Sequence, residues 1–287
     1  MLIHGGDPAS GSSDVPGAGR SGKPADVDLG LSGKVFLVTG GSAGLGLAGA
    51  RALVAEGARV VLSARDPDRL ARSVDALNDA PPPGPVDDAT TAVGVAADLA
   101  DESTPELLVR TALNRFGRLD GALVSVGGPP AGPALAITDE QWRSAYDTVV
   151  LGPVRLTRAV VEALPTDGGA LAYVLSTSVK APLDGLAVSN TLRPGLGMLI
   201  KTLADELGPR GVRLNGLLPG TFDTDRVRSL GADLSMAQQT MAEQSIPLQR
   251  YGEPAELGRV AAFLLSPAAS YVTGSMVAVD GGKMRAL

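Results

Sequence analysis

The segment VSNTLRPG, residues 188 to 195, places Ser189 and Arg193 one helical turn apart, just ahead of a leucine-rich stripe. Both side chains can donate hydrogen bonds. Neither hands over a proton near neutrality, because serine is too weak an acid and arginine keeps its proton. The inventory removes other chemistries. The chain has no cysteine, and its only histidine is His4, in a polar leader. Thiolate catalysis, disulfides, a Ser-His-Asp triad and most zinc sites fall away, and no metal site is expected.

A second group with chemical potential is a glycine turn. In KVFLVTGGSAGLGLAGARALVAEGARVVLSARD, Val35 to Val38 read as a buried parallel strand. A helix carrying Leu47, Ala50, Leu53 and Val54 follows and ends at Gly57, and Arg59 to Leu62 form a second strand. The turn between them holds Gly40, Ser42, Ala43, Gly44, Leu45 and Gly46. Its glycines permit a tight bend and a close backbone approach to a pyrophosphate at the helix N-terminus, which predicts a dinucleotide site. The second strand ends in Ser63, Ala64 and Arg65, with no acid to hold a ribose diol. An arginine there suits a 2'-phosphate, so NADP(H) is expected; the other reading is a surface cation paired with Asp66 or Asp68.

The elements that must position these residues follow from patterning. The chain has 287 residues, 44% of them hydrophobic, and strand and helix patterns alternate from about residue 34. That predicts one α/β domain over residues 29–287, a doubly wound parallel sheet with helices on both faces. Residues 1–28, rich in Gly, Ser, Pro and Asp, read as a disordered tail without the features of a signal peptide. No uninterrupted apolar run reaches the length of a membrane span, so a soluble cytoplasmic protein is expected. The net charge of -6 argues against a nucleic-acid partner. Residues 78–91, NDAPPPGPVDDATT, read as a surface loop. Pro194 suggests that the regular helix begins about there, with Leu196, Leu199, Ile200, Leu203 and Leu207 as its buried face and Ser189 in its approach or acting as a cap. Within residues 221–254, Met236 and Met241 suggest a movable apolar lid over a substrate, the alternative being a fixed surface helix.

TGGSAGLG (39–46), DLA (98–100), LPGTFDT (218–224) and YVTGSMVAVDGG (271–282) occur in the order that marks the classical short-chain dehydrogenase/reductase family, which the chain resembles from about Leu31 onward. The resemblance implies a Rossmann-type fold. It also implies cofactor contacts at Asp98 and Leu99 beside the adenine, at Gly127 after the fourth strand, and at Pro219 and Gly220 over the nicotinamide. Through the helix and strand formed around GEPAELGRVAAFLLS and the C-terminus, it implies a homodimer or homotetramer; the apolar stripe there could equally be core.

Against the family pattern the chain departs. Where two asparagines usually precede the glycine turn, it has Ser125 and Val126 before Gly127 and Gly128. The family's Asn, Ser, Tyr and Lys tetrad uses the tyrosine as proton donor. None of Tyr146, Tyr173, Tyr251 and Tyr271 has a lysine four residues on. Registering on the following helix puts Ser189 at the tyrosine position, Arg193 at the lysine, Ser176 at the serine with Ser178 as fallback, and Val149 at the asparagine. Ser176, Ser189 and Arg193 are thus the candidate catalytic residues. The expected activity is NADPH-dependent reduction of a small-molecule ketone already activated by a neighbouring phenol. Atypical ketoreductases of aromatic polyketides, including angucyclinone ketoreductases, are similar in this respect. The alternative is a non-catalytic NADP(H)-binding sensor or pseudo-enzyme.

Overall fold

A computed structural model describes residues 28–79, 90–230, 240 and 243–286. The leader to residue 27 with His4, the Pro-rich residues 80–89, and Met236 and Met241 lie outside these. Seven parallel strands make one sheet: β1 Val35–Thr39, β2 Arg59–Ala64, β3 Ala92–Ala96, β4 Gly121–Ser125, β5 Gly169–Val174, β6 Val212–Pro219 and β7 Met276–Val279. The first two strands run slightly past the lengths expected from their apolar runs. Strand order is β3-β2-β1-β4-β5-β6-β7. The chain steps outward from β1 to β3 and returns beside β1 as β4, so the order reverses there, and a ligand crevice belongs outside the strand C-termini at that point.

Every residue of VFLVT in β1 is buried, as a strand covered on both faces requires. Alternate side chains feed two cores. Phe36 and Val38 pack with Leu53 and Val54 of α1 (Gly44–Ala55) and with Leu257, Ala261 and Leu264 of the last helix, Pro254–Leu265. Val35 and Leu37 face Leu108 of α3 (Thr104–Phe116), Leu156 and Val160 of α5 (Gly152–Ala163), and Leu196 and Ile200 of α6 (Ala187–Leu207). The remaining described helices are α2 (Pro67–Asn78), α4 (Asp139–Tyr146) and α7 (Asp225–Leu230), which makes the last helix α8. A Cβ on Gly258 of α8 would lie 2.4 Å from Ala48 O of α1, so these helices touch backbone to backbone. The apolar stripe of α8 is therefore mainly intramolecular core, with Phe263 39% exposed at its edge.

The start of α6 differs from expectation. The helix begins at Ala187, seven residues before Pro194, and Pro194 sits inside it. An interior proline removes one backbone bond and ordinarily costs about 3 kcal/mol. Here the surrounding turn is held by other means. Arg193 Nη1 donates to Val174 O at 2.9 Å and Leu175 O at 2.7 Å, and Val188 and Leu196 are buried. The expected face is only partly right: Leu196 and Ile200 are buried, whereas Leu199, Leu203 and Leu207 are partly exposed and pack against the same core.

At the opposite end of the sheet, Asp120 ties β1 to β4. Its carboxylate accepts from Val35 N at 2.9 Å, Arg118 Nε at 2.8 Å and Lys34 Nζ at 3.2 Å. Burial pushes this carboxyl up, but the Arg118 and Val35 hydrogen bonds and the Lys34 charge outweigh it and hold the group below the ordinary carboxylate range. A depressed folded-state pKa gives stability that is present above the unfolded pKa, about 4, and lost as pH falls through the folded value. Asp120→Asn should therefore lower the melting temperature at pH 7 and flatten the acid limb of stability below about pH 4. Thermal melts at stepped pH check this; an unchanged acid limb would contradict it.

Candidate active site

The strand C-termini open into a cleft of about 1990 Å³. Its floor is the β1–α1 turn. Gly40 has φ +58, and a Cβ there would stand 2.7 Å from Ser125 O; one on Gly46 would stand 2.3 Å from Gly40 O. Gly44, φ +54, is different: its missing Cβ would point across the cleft mouth toward Thr224 Cγ2, 3.8 Å away. Ala43 precedes α1 in extended conformation and caps no N–H with its side chain, and Gly44, Leu45, Gly46 and Leu47 all line the cleft. First-turn amides left in this way are an anion site, reinforced by the helix dipole. Ser42 also lines the cleft and is anchored by Ser73 Oγ, which donates to its carbonyl at 3.1 Å.

Support for the β4 turn, missing at Ser125 and Val126 by family standards, comes from Thr39. Its hydroxyl donates to Ser125 O at 2.7 Å and accepts from Ser125 N at 2.9 Å, tying the ends of β1 and β4 together. Gly127 and Gly128 then line the cleft. Asp98 accepts from Ala100 N at 3.0 Å and Leu99 is buried, both on the cleft wall. Gly220 donates to Val279 O at 2.9 Å, and a Cβ on it would strike Asp280, which fixes the Pro219–Gly220 turn against β7.

Arg65 stands exposed on the cleft wall and forms no ion pair with Asp66 or Asp68. Asp66 is already used, capping α2 through Arg69 N at 2.9 Å. Arg69 instead pairs with Asp225 at the start of α7, so one ionic contact crosses the mouth to the described part of the expected lid, and Arg228 pairs with Asp223 at 2.8 Å within that segment.

At the other end of the cleft Ser176, Thr177, Ser189, Arg193 and Val149 come together on its wall. Val149 is buried in a π-helical segment, Asp147–Leu151, that joins α4 to α5. Ser176 caps a 3-10 turn by accepting from Ser178 N at 3.1 Å. Ser189, third residue of α6, lies within hydrogen-bonding distance of Ser178 Oγ, 3.1 Å away. Arg193 is 6% exposed, and its guanidinium is turned onto the carbonyls of Val174, the last residue of β5, and Leu175, the next. No tyrosine lines the cleft among the described residues. Tyr173, three residues before Ser176, points to the opposite core, where its hydroxyl meets Thr157 and burial pushes it up to about 12.

Sequence reasoning overlooked Asn190. Its Oδ1 accepts from Leu183 N at 3.0 Å and its Nδ2 donates to Leu183 O at 2.8 Å, pinning the loop before α6. That loop is paired in turn with Gly132, whose N–H donates to Gly185 O at 2.6 Å. Pro130, Leu183 and Leu186 thereby form an apolar lip. A side chain that bonds a peptide group seven residues back has no fixed sequence spacing; only its type, common at caps and turns, hints at it. Asn190→Ala should speed amide exchange at Leu183 by about 5- to 30-fold, the worth of two hydrogen bonds. Protection unchanged from wild type would show that the loop is held elsewhere.

With the cleft described, comparison with known proteins is informative. Residues 40–283 match the family described as enoyl-(acyl carrier protein) reductase. Dehydrogenase/reductase SDR family member 4 of Homo sapiens is 34% identical over 255 residues, 88% of either chain. A candidate ketoacyl reductase named for the monensin polyketide synthase, from Streptomyces virginiae, is 31% identical over 262 residues, 87% of this chain and 96% of that one. Among solved structures, L-sorbose reductase of Gluconobacter frateurii, complexed with NADPH and L-sorbose, superposes with a TM-score of 0.82 at 31% identity, covering 91% of this chain and all of that one. The chain belongs to the classical short-chain dehydrogenase/reductase family.

Proposed function

We propose that the protein binds NADP(H) and reduces a ketone whose carbonyl is activated by an adjacent phenol, of the kind found in aromatic polyketides. The carrying observation is the pairing, in one cleft and among the described residues, of an Arg65 without an ion pair at one end with serine hydroxyls and no tyrosine at the other. The glycine turn fits a dinucleotide, since a pyrophosphate could use the space that the missing Cβ of Gly44 leaves and would be held by the first-turn amides of α1. Arg65 would hold the 2'-phosphate, Asp98 and Leu99 the adenine side, and Gly127, Pro219 and Gly220 the nicotinamide side. When bound, the nicotinamide supplies hydride.

The chain's own residues do the rest. Ser176 and Ser189 donate hydrogen bonds to the carbonyl oxygen as it gains charge, and Arg193 holds the end of β5 in register beneath them. A positioned acid contributes about 10²–10⁴ in rate, roughly 3–5 kcal/mol of barrier. The substrate's own phenol can supply that, through an internal hydrogen bond to the oxygen, with water returning the proton afterwards. A homo-oligomer and a cytoplasmic location agree with this reading; no described helix is long and apolar enough to cross a membrane.

The test is a panel of aromatic ketones and quinones in pairs that differ only by the adjacent phenol, followed by NADPH oxidation. The phenol-bearing member should react faster by about 10²-fold or more. Equal rates within pairs would remove the activated-ketone reading. A redox sensor or pseudo-enzyme predicts tight NADPH binding and no oxidation with any member.

A further inference from the structure

Behind the cleft wall lies a hydroxyl that the proposed reaction does not yet use. Ser178 is 4% exposed and, unlike Ser176, Thr177 and Ser189, is absent from the cleft surface. Its amide donates to Ser176 Oγ at 3.1 Å, and its own Oγ stands 3.1 Å from Ser189 Oγ. Ser178 thus touches both serines that reach the cleft.

Direction follows from proton count. Each hydroxyl has one proton. Among the described residues, Ser178 Oγ meets Ser189 Oγ, and a buried O–H left without an acceptor is costly. Ser178 must therefore donate and Ser189 accept. Ser189 then keeps its own proton free, and the open side of Ser189 is the cleft. The reverse orientation would strand the Ser178 proton inside the protein and leave Ser189 facing the cleft as an acceptor. Donation into Ser189 also polarises it, since hydrogen bonds in a chain strengthen one another in a poorly screened site.

We propose that Ser178 is a positioning residue. It orients Ser189 as a hydrogen-bond donor toward an oxygen that becomes negative in the cleft, while its N–H fixes Ser176 beside it. The inference rests on the ketone-reductase reading of the cleft, because that reading supplies the oxygen. Ser178 touches neither substrate nor cofactor and acts through Ser189.

The experiment uses the full-length protein saturated with NADP⁺ and titrated with 4-nitrophenol, whose phenolate oxygen stands for the charge developing on a carbonyl and whose absorbance reports ionisation. Ser189→Ala should weaken phenolate binding by about tenfold, the loss of one hydrogen bond to a charged oxygen. Ser178→Ala should weaken it to a similar degree, and the double variant should be no weaker than Ser189→Ala alone. Ser178→Thr, which keeps the hydroxyl, should restore binding to within about twofold of wild type. Multiplicative losses in the double variant, or a Ser178→Ala protein that binds like wild type, would overturn the proposal while leaving the reductase reading intact. Phenolate binding indifferent to Ser189→Ala, or none to the NADP⁺ complex, would remove the reading of Ser189 and this proposal with it. Thermal melts of each variant separate a loss of fold, which would weaken NADP⁺ binding as well, from a loss of orientation, which would not.

Discussion

Arg65→Ala should weaken NADPH binding by about 10- to 100-fold and leave NADH within about twofold. The range is the worth of charge-assisted hydrogen bonds from a guanidinium to a phosphate. The structure gives the prediction its sign. Arg65 is exposed at the C-terminal end of β2, lines the cleft, and among the described residues has no carboxylate partner to leave before it can turn to a ligand. Asp66 is occupied in capping α2, so removing Arg65 frees no competing charge at that helix. Neighbouring Arg69 is engaged by Asp225 and offers only partial compensation. Fluorescence titration with each cofactor checks the outcome, and an equal loss for both would show that Arg65 does not meet the 2'-phosphate.

Arg193 carries the second large effect. Its guanidinium supplies donors to Val174 O and Leu175 O, where β5 ends and Ser176 begins. Arg193→Ala strands those buried carbonyls and leaves a cavity, for a loss of about 2–4 kcal/mol. In a domain of this size that lowers the melting temperature by about 5–12 °C. Arg193→Met restores bulk without donors and should recover only a minority of the loss. A methionine variant as stable as wild type would show that packing, and not hydrogen bonding, holds the turn. Turnover should fall with either substitution, because Ser176 and Ser189 are both set by this junction.

Much of this was legible in the chain, for reasons that differ by residue. The βαβ opening announces itself through contiguous apolar strands and glycines whose spacing is dictated by backbone contact: Gly40 and Gly46 must each approach a carbonyl oxygen. The position of Arg65 on the cleft wall was legible because it directly follows a strand end at the sheet's C-terminal edge. Pro194 misled, since local propensity argued for a helix start while tertiary contacts of Arg193 carried the helix through. Thr39 and Asn190 were invisible as supports. The first reaches across 86 residues to Ser125, and the second depends on how one loop folds back. Sequence spacing offers Ser178 only as a second choice for Ser176, because its contact with Ser189 Oγ depends on how the 3-10 turn packs against α6.

Reduction with NADPH labelled by deuterium at the transferable C4 position tests the central claim most directly. The account predicts that a phenol-bearing aromatic ketone incubated with the protein yields an alcohol one mass unit heavier, with the label on the carbinol carbon and one equivalent of cofactor oxidised. Tight NADPH binding with no labelled alcohol from any such ketone would contradict it and leave a protein that binds the cofactor without using it.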